Sequence, residues 1–236
     1  MRCSFFTPGD GMELTTKQKY LSAAGLLLVA TAAVKVIGAV YKIPLTGLIG
    51  GTGRGYFSTA YTLFMPVHAI TLGAFPVALS GLVSKYRATG DSARVAALQR
   101  SACGLFFWVG LAGTALMVLL AGPYTRLVAG APKAVYTVLI LAPTALFSAM
   151  AAAHRAFAEG HLNMVPTSVC QVLEALFKMV FGLLFAKLSM GRLYQIYLDT
   201  GMVLGNRAES ETAALSMMYP VTAACAMLGV TLGALA

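Results

Sequence analysis

Lys35-Val-Ile-Gly-Ala-Val-Tyr41-Lys42-Ile-Pro44-Leu45 opens the stretch that decides the fold. A glycine-rich segment follows, Gly47-Leu-Ile-Gly50-Gly51-Thr-Gly53-Arg54-Gly55, and then an apolar run from Tyr56 to Tyr86 that contains Pro66 and Pro76. Two long hydrophobic stretches are thus joined by a turn. The first carries two lysines seven residues apart. Placing a cation in a membrane helix costs about 2.5–3.5 kcal/mol on insertion scales, so such a residue faces a polar cavity, a partner or the interface. Seven residues fall about 20° short of two helical turns, which puts Lys35 and Lys42 on one side of a helix. The reading that follows is a membrane transporter whose first helix offers positive charge to an anionic substrate.

Composition supports the class. The chain has 58% hydrophobic and 11% charged residues, against about 25% charged in an ordinary soluble domain. That is too little charge to cover a soluble core. Apolar runs near 20 residues recur, and they lack the period-two alternation of barrel strands. In a bilayer only helices and closed barrels satisfy their backbone groups. The expected fold class is therefore an all-α membrane protein. The formal net charge of +9 does not point to nucleic acid, because the Lys and Arg are spread over many connections rather than gathered on one face. Basic loops are ordinary next to anionic membrane lipid. Cys3, Cys103, Cys170 and Cys225 have neither metal-ligand nor redox spacing, and the three in apolar runs read as small buried residues. No cofactor or metal is expected, and no nucleophile or catalytic cluster marks an enzyme.

Taken in order, residues 1–19 form a polar N-terminal segment, with a second possible start at Met12. Residues 20–236 form a transmembrane unit with spans expected at about 20–45, 56–84, 101–121, 134–153, 165–186 and 213–236. Leu21 to Val34, behind Lys17 and Lys19 and containing Ala30-Thr31-Ala32, has the pattern of a cleavable signal peptide. The apolar periodicity continues past Lys35, which favours an uncleaved first helix. Pro66 and Pro76 remove backbone donors and are expected to bend the second span as hinges. His68 in the same span reads equally as a proton site or as a side chain bonded to a neighbouring backbone. Lys85 to Arg100 reads as a charged connection, with Asp91 or Ser92 capping a short surface helix. His154 to Asn163 reads as a polar loop, and Lys187 to Thr212 as a longer one. Basic residues flank the helix ends at Lys17, Lys19 and 85–100, which places the N-terminus in the cytoplasm. The last span stops at Ala236 without flanking charge or aromatic anchor, and the sequence is expected to be part of a longer protein.

Two pairs are candidates for substrate binding. Lys35 and Lys42 suit a phosphate or pyrophosphate, since ammonium groups are point charges that bind phosphate well. The rival for Lys42 is snorkelling to the outer interface; Lys35 lies deeper. Glu174 and Lys178 are four apart with the acid first, the favoured orientation for a helical ion pair. They read either as mutual neutralisation or as a charged site in a central cavity. Gly50 to Gly55 lacks the Gly-Lys-Ser/Thr ending of a phosphate loop and reads as a turn.

Several stretches together carry a family resemblance. They are Tyr41-Lys42-Ile43-Pro44-Leu45-Thr46, then Gly50 with Gly53 and Gly55, then Phe75-Pro76-Val77-Ala78-Leu79-Ser80 with Val83-Ser84-Lys85-Tyr86. Later come Arg155-Ala-Phe-Ala-Glu-Gly160, Asn163-Met-Val-Pro166-Thr167 and Gln171-Val-Leu-Glu174. Over roughly residues 15–236 the chain resembles the polysaccharide-biosynthesis, stage V sporulation protein B-like branch of the multidrug/oligosaccharidyl-lipid/polysaccharide flippase superfamily, related to the lipid II flippases. The resemblance implies a six-helix lobe of a two-lobe flippase fold. It also implies alternating-access movement of an undecaprenyl-pyrophosphate-linked saccharide across the cell membrane. Members often have arginine where Lys42 stands; lysine keeps the charge and loses the bidentate fork. With six spans, this chain matches one lobe, so the partners implied are the lipid-linked substrate, membrane lipid, and a second lobe or a second copy. Two other readings stay open: a cation-coupled multidrug exporter of the same superfamily, and a non-transporting fragment or assembly partner.

Overall fold

Glycine and proline decide where the helices of this chain break. The structure, a computed structural model, describes residues 16–203, 206–207 and 210–235; Cys3, the alternative start at Met12 and most of the N-terminal segment lie outside them. Helix α1 runs Thr16–Leu72, α2 Phe75–Ala88, α3 Ser92–Pro123, α4 Val135–Leu141, α5 Thr144–Gly160, α6 Val165–Thr200 and α7 Glu211–Leu235. A π-turn at Tyr124–Val128 and a 3-10 turn at Pro132–Ala134 link α3 to α4. A two-residue antiparallel ladder, Met202–Val203 with Asn206–Arg207, tightens the α6–α7 connection.

Among the described residues, five helical stretches are long and apolar enough to cross a membrane: Gly25–Ala88, Ala93–Val128, Pro132–Gly160, Val165–Thr200 and Glu211–Ala234. The outward sides are apolar, with Leu28, Ile43, Ile70, Leu119 and Leu127 all exposed, as lipid requires and water does not. The molecule is an all-α, multi-pass membrane protein. The expected count of six separate spans becomes five because the first two join. At 1.5 Å per residue the 64 residues of the first stretch would measure about 96 Å, roughly three hydrocarbon thicknesses. A kink at Gly50, with φ 64° and ψ −178°, divides α1 into arms of residues 16–49 and 51–72. Only glycine adopts that conformation without strain, and the Tyr219 ring fills the space where a Cβ would stand, 2.7 Å from its Cζ.

Other boundaries also differ from expectation. The glycine-rich turn reduces to Gly50 alone, since the helix resumes at Gly51. Pro66 sits inside the second arm, where no dihedral departs from helical. The bend of this region lies at Gly73–Ala74, and Pro76 starts α2 in its first turn, where its missing N–H removes no helical bond. Asp91 caps α3 by accepting from the Arg94 N–H at 3.0 Å, yet no separate surface helix forms, because α3 continues unbroken to Pro123. The expected polar loop at 154–163 is helical to Gly160, and α6 runs on through Lys187 to Thr200, ending on Gly201 in the left-handed conformation. Polar residues in these segments changed the composition without supplying a helix breaker. Cys170 is exposed and Cys103 and Cys225 are half-buried, rather than buried as expected.

Among the described residues four apolar clusters form, three along the packed helices and a fourth, Val203, Ala214 and Met218, at the end of α6 and the start of α7. The second arm of α1 (Ala60, Leu63, Phe64, Val67) packs on Met117 of α3, Val138 and Leu141 of α4, and Met227 and Val230 of α7. Leu72, Leu79, Val83, Phe106 and the Ala149–Ala153–Ala156 stripe of α5 form the second cluster. Tyr41, Leu45 and Ile49 meet Ala186 of α6 and Ala226 of α7 in the third. At the break around Ala142–Pro143 neighbouring helices bond to the backbone: Thr231 donates to Ile140 O at 3.0 Å, and Thr114 to Ala142 O at 3.2 Å beside the Ala145 N–H. Ser84 of α2 donates to Gly160 O at 3.0 Å and Arg87 to His161 O, fastening α2 to the end of α5.

The tightest crossing is between α6 and α7. A Cβ on Gly229 would stand 2.6 Å from the Phe181 carbonyl carbon and closer still to Gly182; one on Gly233 would stand 2.5 Å from Lys178 Cγ and 2.9 Å from its backbone nitrogen. Gly229-Val-Thr-Leu-Gly233 is a small-xxx-small pattern of the kind that lets membrane helices touch by their backbones. Gly229→Val should lower the stability of the detergent-solubilised protein by about 1–3 kcal/mol, read as a lower midpoint of thermal unfolding. Gly104→Ala, at a position with open space around it, should leave the midpoint almost unchanged.

Candidate substrate cavity

The two arms of α1 open from Gly50 and, with α6, line a half-open cavity of about 740 Å³, within the range of small-molecule sites. The first arm contributes Thr31, Val34, Gly38, Tyr41, Lys42 and Leu45, a repeat of three and four that marks one helical side. The second arm contributes Arg54, Phe57, Tyr61 and Met65, and α6 contributes Gln171, Glu174 and Lys178. Walls are mostly apolar. The charges are three cations, Lys42, Arg54 and Lys178, and one carboxylate, Glu174.

Of the residues singled out in the sequence, Lys42, Glu174 and Lys178 are brought together in this cavity. Lys35 is exposed and is not among the lining residues, although Thr31, Val34 and Gly38 around it are. It stands on Lys42's side of the helix, at the edge of the lining stripe. Pro66 follows the lining residue Met65, and Pro76 lies beyond the bend at Gly73. His68 is half-buried and packs against Phe64, ring centroids 5.2 Å apart and planes tilted by 48°. Among the described residues, no three His, Cys, Asp or Glu side chains group as metal ligands.

Glu174 holds two cations. Its Oε1 accepts from Lys178 Nζ at 2.6 Å, one turn along α6, and its Oε2 from Arg155 Nη1 at 3.3 Å, across from α5. All three side chains are between one-fifth and one-third exposed. A carboxylate between two cations leaves one positive charge over. Behind this triad lies a second cavity, of about 400 Å³, lined by His154, Arg155, Cys170 and Glu174. Glu174 is therefore the wall between the two spaces. Among the described residues neither Lys42 nor Arg54 has a carboxylate within 4.0 Å. The Tyr41 hydroxyl is buried beside Gly182, 2.6 Å from where a Cβ on that glycine would stand, and has no protein partner among the described residues.

In the sequence Arg155 reads as part of a loop and Arg54 as part of a turn; the structure sets Arg155 against Glu174 and Arg54 in the cavity wall. The signal for Arg155 was present: Ala149, Ala153, Ala156 and Gly160 continue a helical stripe past it, so α5 had no reason to stop. The signal for Arg54 was not, because its place in the cavity depends on the fold-back at Gly50.

These features define a multi-pass membrane protein with a cationic, apolar-walled cavity inside its helix bundle. The profile of the polysaccharide biosynthesis protein family matches residues 21–199, and the chain belongs to that family. It is 28% identical over 174 residues to the lipid II flippase MurJ of Bacillus subtilis (strain 168), covering 69% of this chain and 31% of the relative. It is 25% identical over 158 residues to stage V sporulation protein B of the same organism, covering 67% of this chain and 30% of that relative. The matched stretch thus spans a little under a third of each relative. No solved structure matches the chain.

The Arg155–Glu174 contact joins α5 to α6, so a double-mutant cycle with Arg155→Gln and Glu174→Gln should show a favourable coupling of about 0.5–2 kcal/mol in reversible denaturation. The same cycle between Arg155 and Lys42, which share no partner, should show coupling near zero.

Proposed function

We propose that this chain forms one lobe of a flippase that moves a lipid-linked saccharide pyrophosphate across the cell membrane by alternating access. The observation that carries the reading is the convergence of Lys42, Arg54 and Lys178 on one apolar-walled cavity. A polyprenyl-linked pyrophosphate has that same combination of multiple negative charge and apolar chain, and ammonium and guanidinium groups in a low-dielectric space attract it strongly. The family relationship and the two Bacillus relatives support the reading. A second lobe, encoded in the same protein or supplied by another copy, completes the cavity. Lys35 at the edge of the stripe meets the substrate on entry, and the break at Gly73–Ala74, between Pro66 and Pro76, carries the motion that exposes the cavity to the other side. The multidrug-exporter reading is less well supported, because the carboxylate that would attract a cationic drug is held by two cations of the protein.

The test is flipping of an undecaprenyl-pyrophosphate-linked saccharide in proteoliposomes, with the chain alone and with its second lobe. Lys42→Gln should weaken substrate binding about tenfold, or about 1.4 kcal/mol, and Lys35→Ala should weaken it less. Unaltered flipping by the Lys42→Gln, Arg54→Gln and Lys178→Gln variants together would overturn the assignment.

For orientation, we propose the N-terminus in the cytoplasm and one membrane crossing by each arm of α1, which makes Arg94 cytoplasmic and Lys133 external. A cysteine placed at Arg94, with the native cysteines replaced, should react with a membrane-impermeant maleimide only after the cell membrane is opened. A cysteine at Lys133 should react in intact cells.

A further inference from the structure

The cavity sits in a membrane whose ordinary phospholipids are themselves anionic. Three cations in an apolar-walled space would attract the single phosphate of such a lipid as well as a pyrophosphate. The difference between these ligands is one unit of charge or more. Lys178 is occupied by Glu174 Oε1 at 2.6 Å, while the other oxygen of the same carboxylate is held by Arg155 at 3.3 Å from the lateral cavity. Lys178 lines the central cavity and Arg155 lines only the lateral one, with Glu174 on both.

We infer that Glu174 is a specificity-determining counter-anion: it keeps Lys178 masked from singly charged phospholipid and yields it to a diphosphate. The inference rests on the proposed flippase function. A single phosphate is matched by Lys42 or Arg54 and gains too little to part the short Lys178–Glu174 pair. A diphosphate brings a second charge that repels the Glu174 carboxylate and attracts the ammonium. Lys178 sits on a flexible four-carbon stem and turns to the ligand. Glu174 is not left alone by this exchange, because Arg155 keeps its Oε2. A buried carboxylate that lost both partners would be strongly disfavoured, so the second cation makes the exchange feasible. Arg155 is a positioning residue in this scheme, and it touches no ligand.

The experiment compares binding of two probes to the chain, together with its second lobe, in nanodiscs of neutral lipid: undecaprenyl pyrophosphate and phosphatidylglycerol. Wild type should prefer the diphosphate. Glu174→Gln, which is isosteric and uncharged, should raise phosphatidylglycerol affinity about tenfold while changing diphosphate affinity much less, so that the preference collapses. Glu174→Asp, which keeps the charge, should retain most of the preference. Lys178→Gln removes the masked cation and should lower diphosphate affinity with no change for phosphatidylglycerol; it decides the matter should Glu174→Gln fail to fold. An unchanged preference in Glu174→Gln, or in Lys178→Gln, would overturn the inference. A wild type without preference for the diphosphate would instead overturn the functional reading on which it rests.

Discussion

Gly182 is the point at which three helices meet, and the cavity depends on that meeting. The α7 backbone at Gly229 touches it from one side, and the Tyr41 ring of the first α1 arm fills the remaining space beside it. Any side chain at Gly182 or Gly229 would separate α6 from α7, and one at Gly182 would also displace α1. In lipid no hydrophobic force draws apolar helices together, so close contact between small residues has to supply the association. Three residues of α6 at four-residue spacing, Glu174, Lys178 and Gly182, lie along this seam. Gly233 packs against the backbone at Glu174 and Lys178. The contact that holds the bundle therefore also sets the height and direction of its charged residues.

Charge inside such a bundle needs a partner or a polar space, and the chain uses both. Glu174 takes Arg155 and Lys178 as partners, and the excess positive charge faces the cavity together with Lys42 and Arg54. This division separates structural from ligand-facing charge without placing them far apart. The carboxylate belongs to both, since it is the wall between the central and lateral cavities.

Much of the architecture was legible in the chain because the membrane imposes simple rules. Long apolar runs with few charges had to be helices, and the spacing of Glu174 and Lys178 already implied a pair. The errors fell at the ends of elements. His154–Glu159 and Lys187–Thr200 are polar and read as loops, yet the first contains neither glycine nor proline, and Gly191 of the second stays inside the helix. Pro66 was expected to bend its helix, yet the bend formed at Gly73. A proline in a membrane helix is tolerated when neighbours take over the freed backbone group, and its position alone does not say whether they do.

By itself, then, the sequence determined the class: an all-α membrane protein with cations embedded in its first and fifth expected spans, and a family resemblance carried by motifs along its length. These follow from hydropathy and local periodicity, which need no knowledge of what lies across the bundle. The tertiary structure decided which charges share a space. It brought Arg54 and Lys42 into one cavity through the fold-back at Gly50, left Lys35 at the margin, and set Arg155 against Glu174. Those placements depend on how helices far apart in the chain rotate and cross, and the close glycine contacts that fix the crossing exist only once the helices have met.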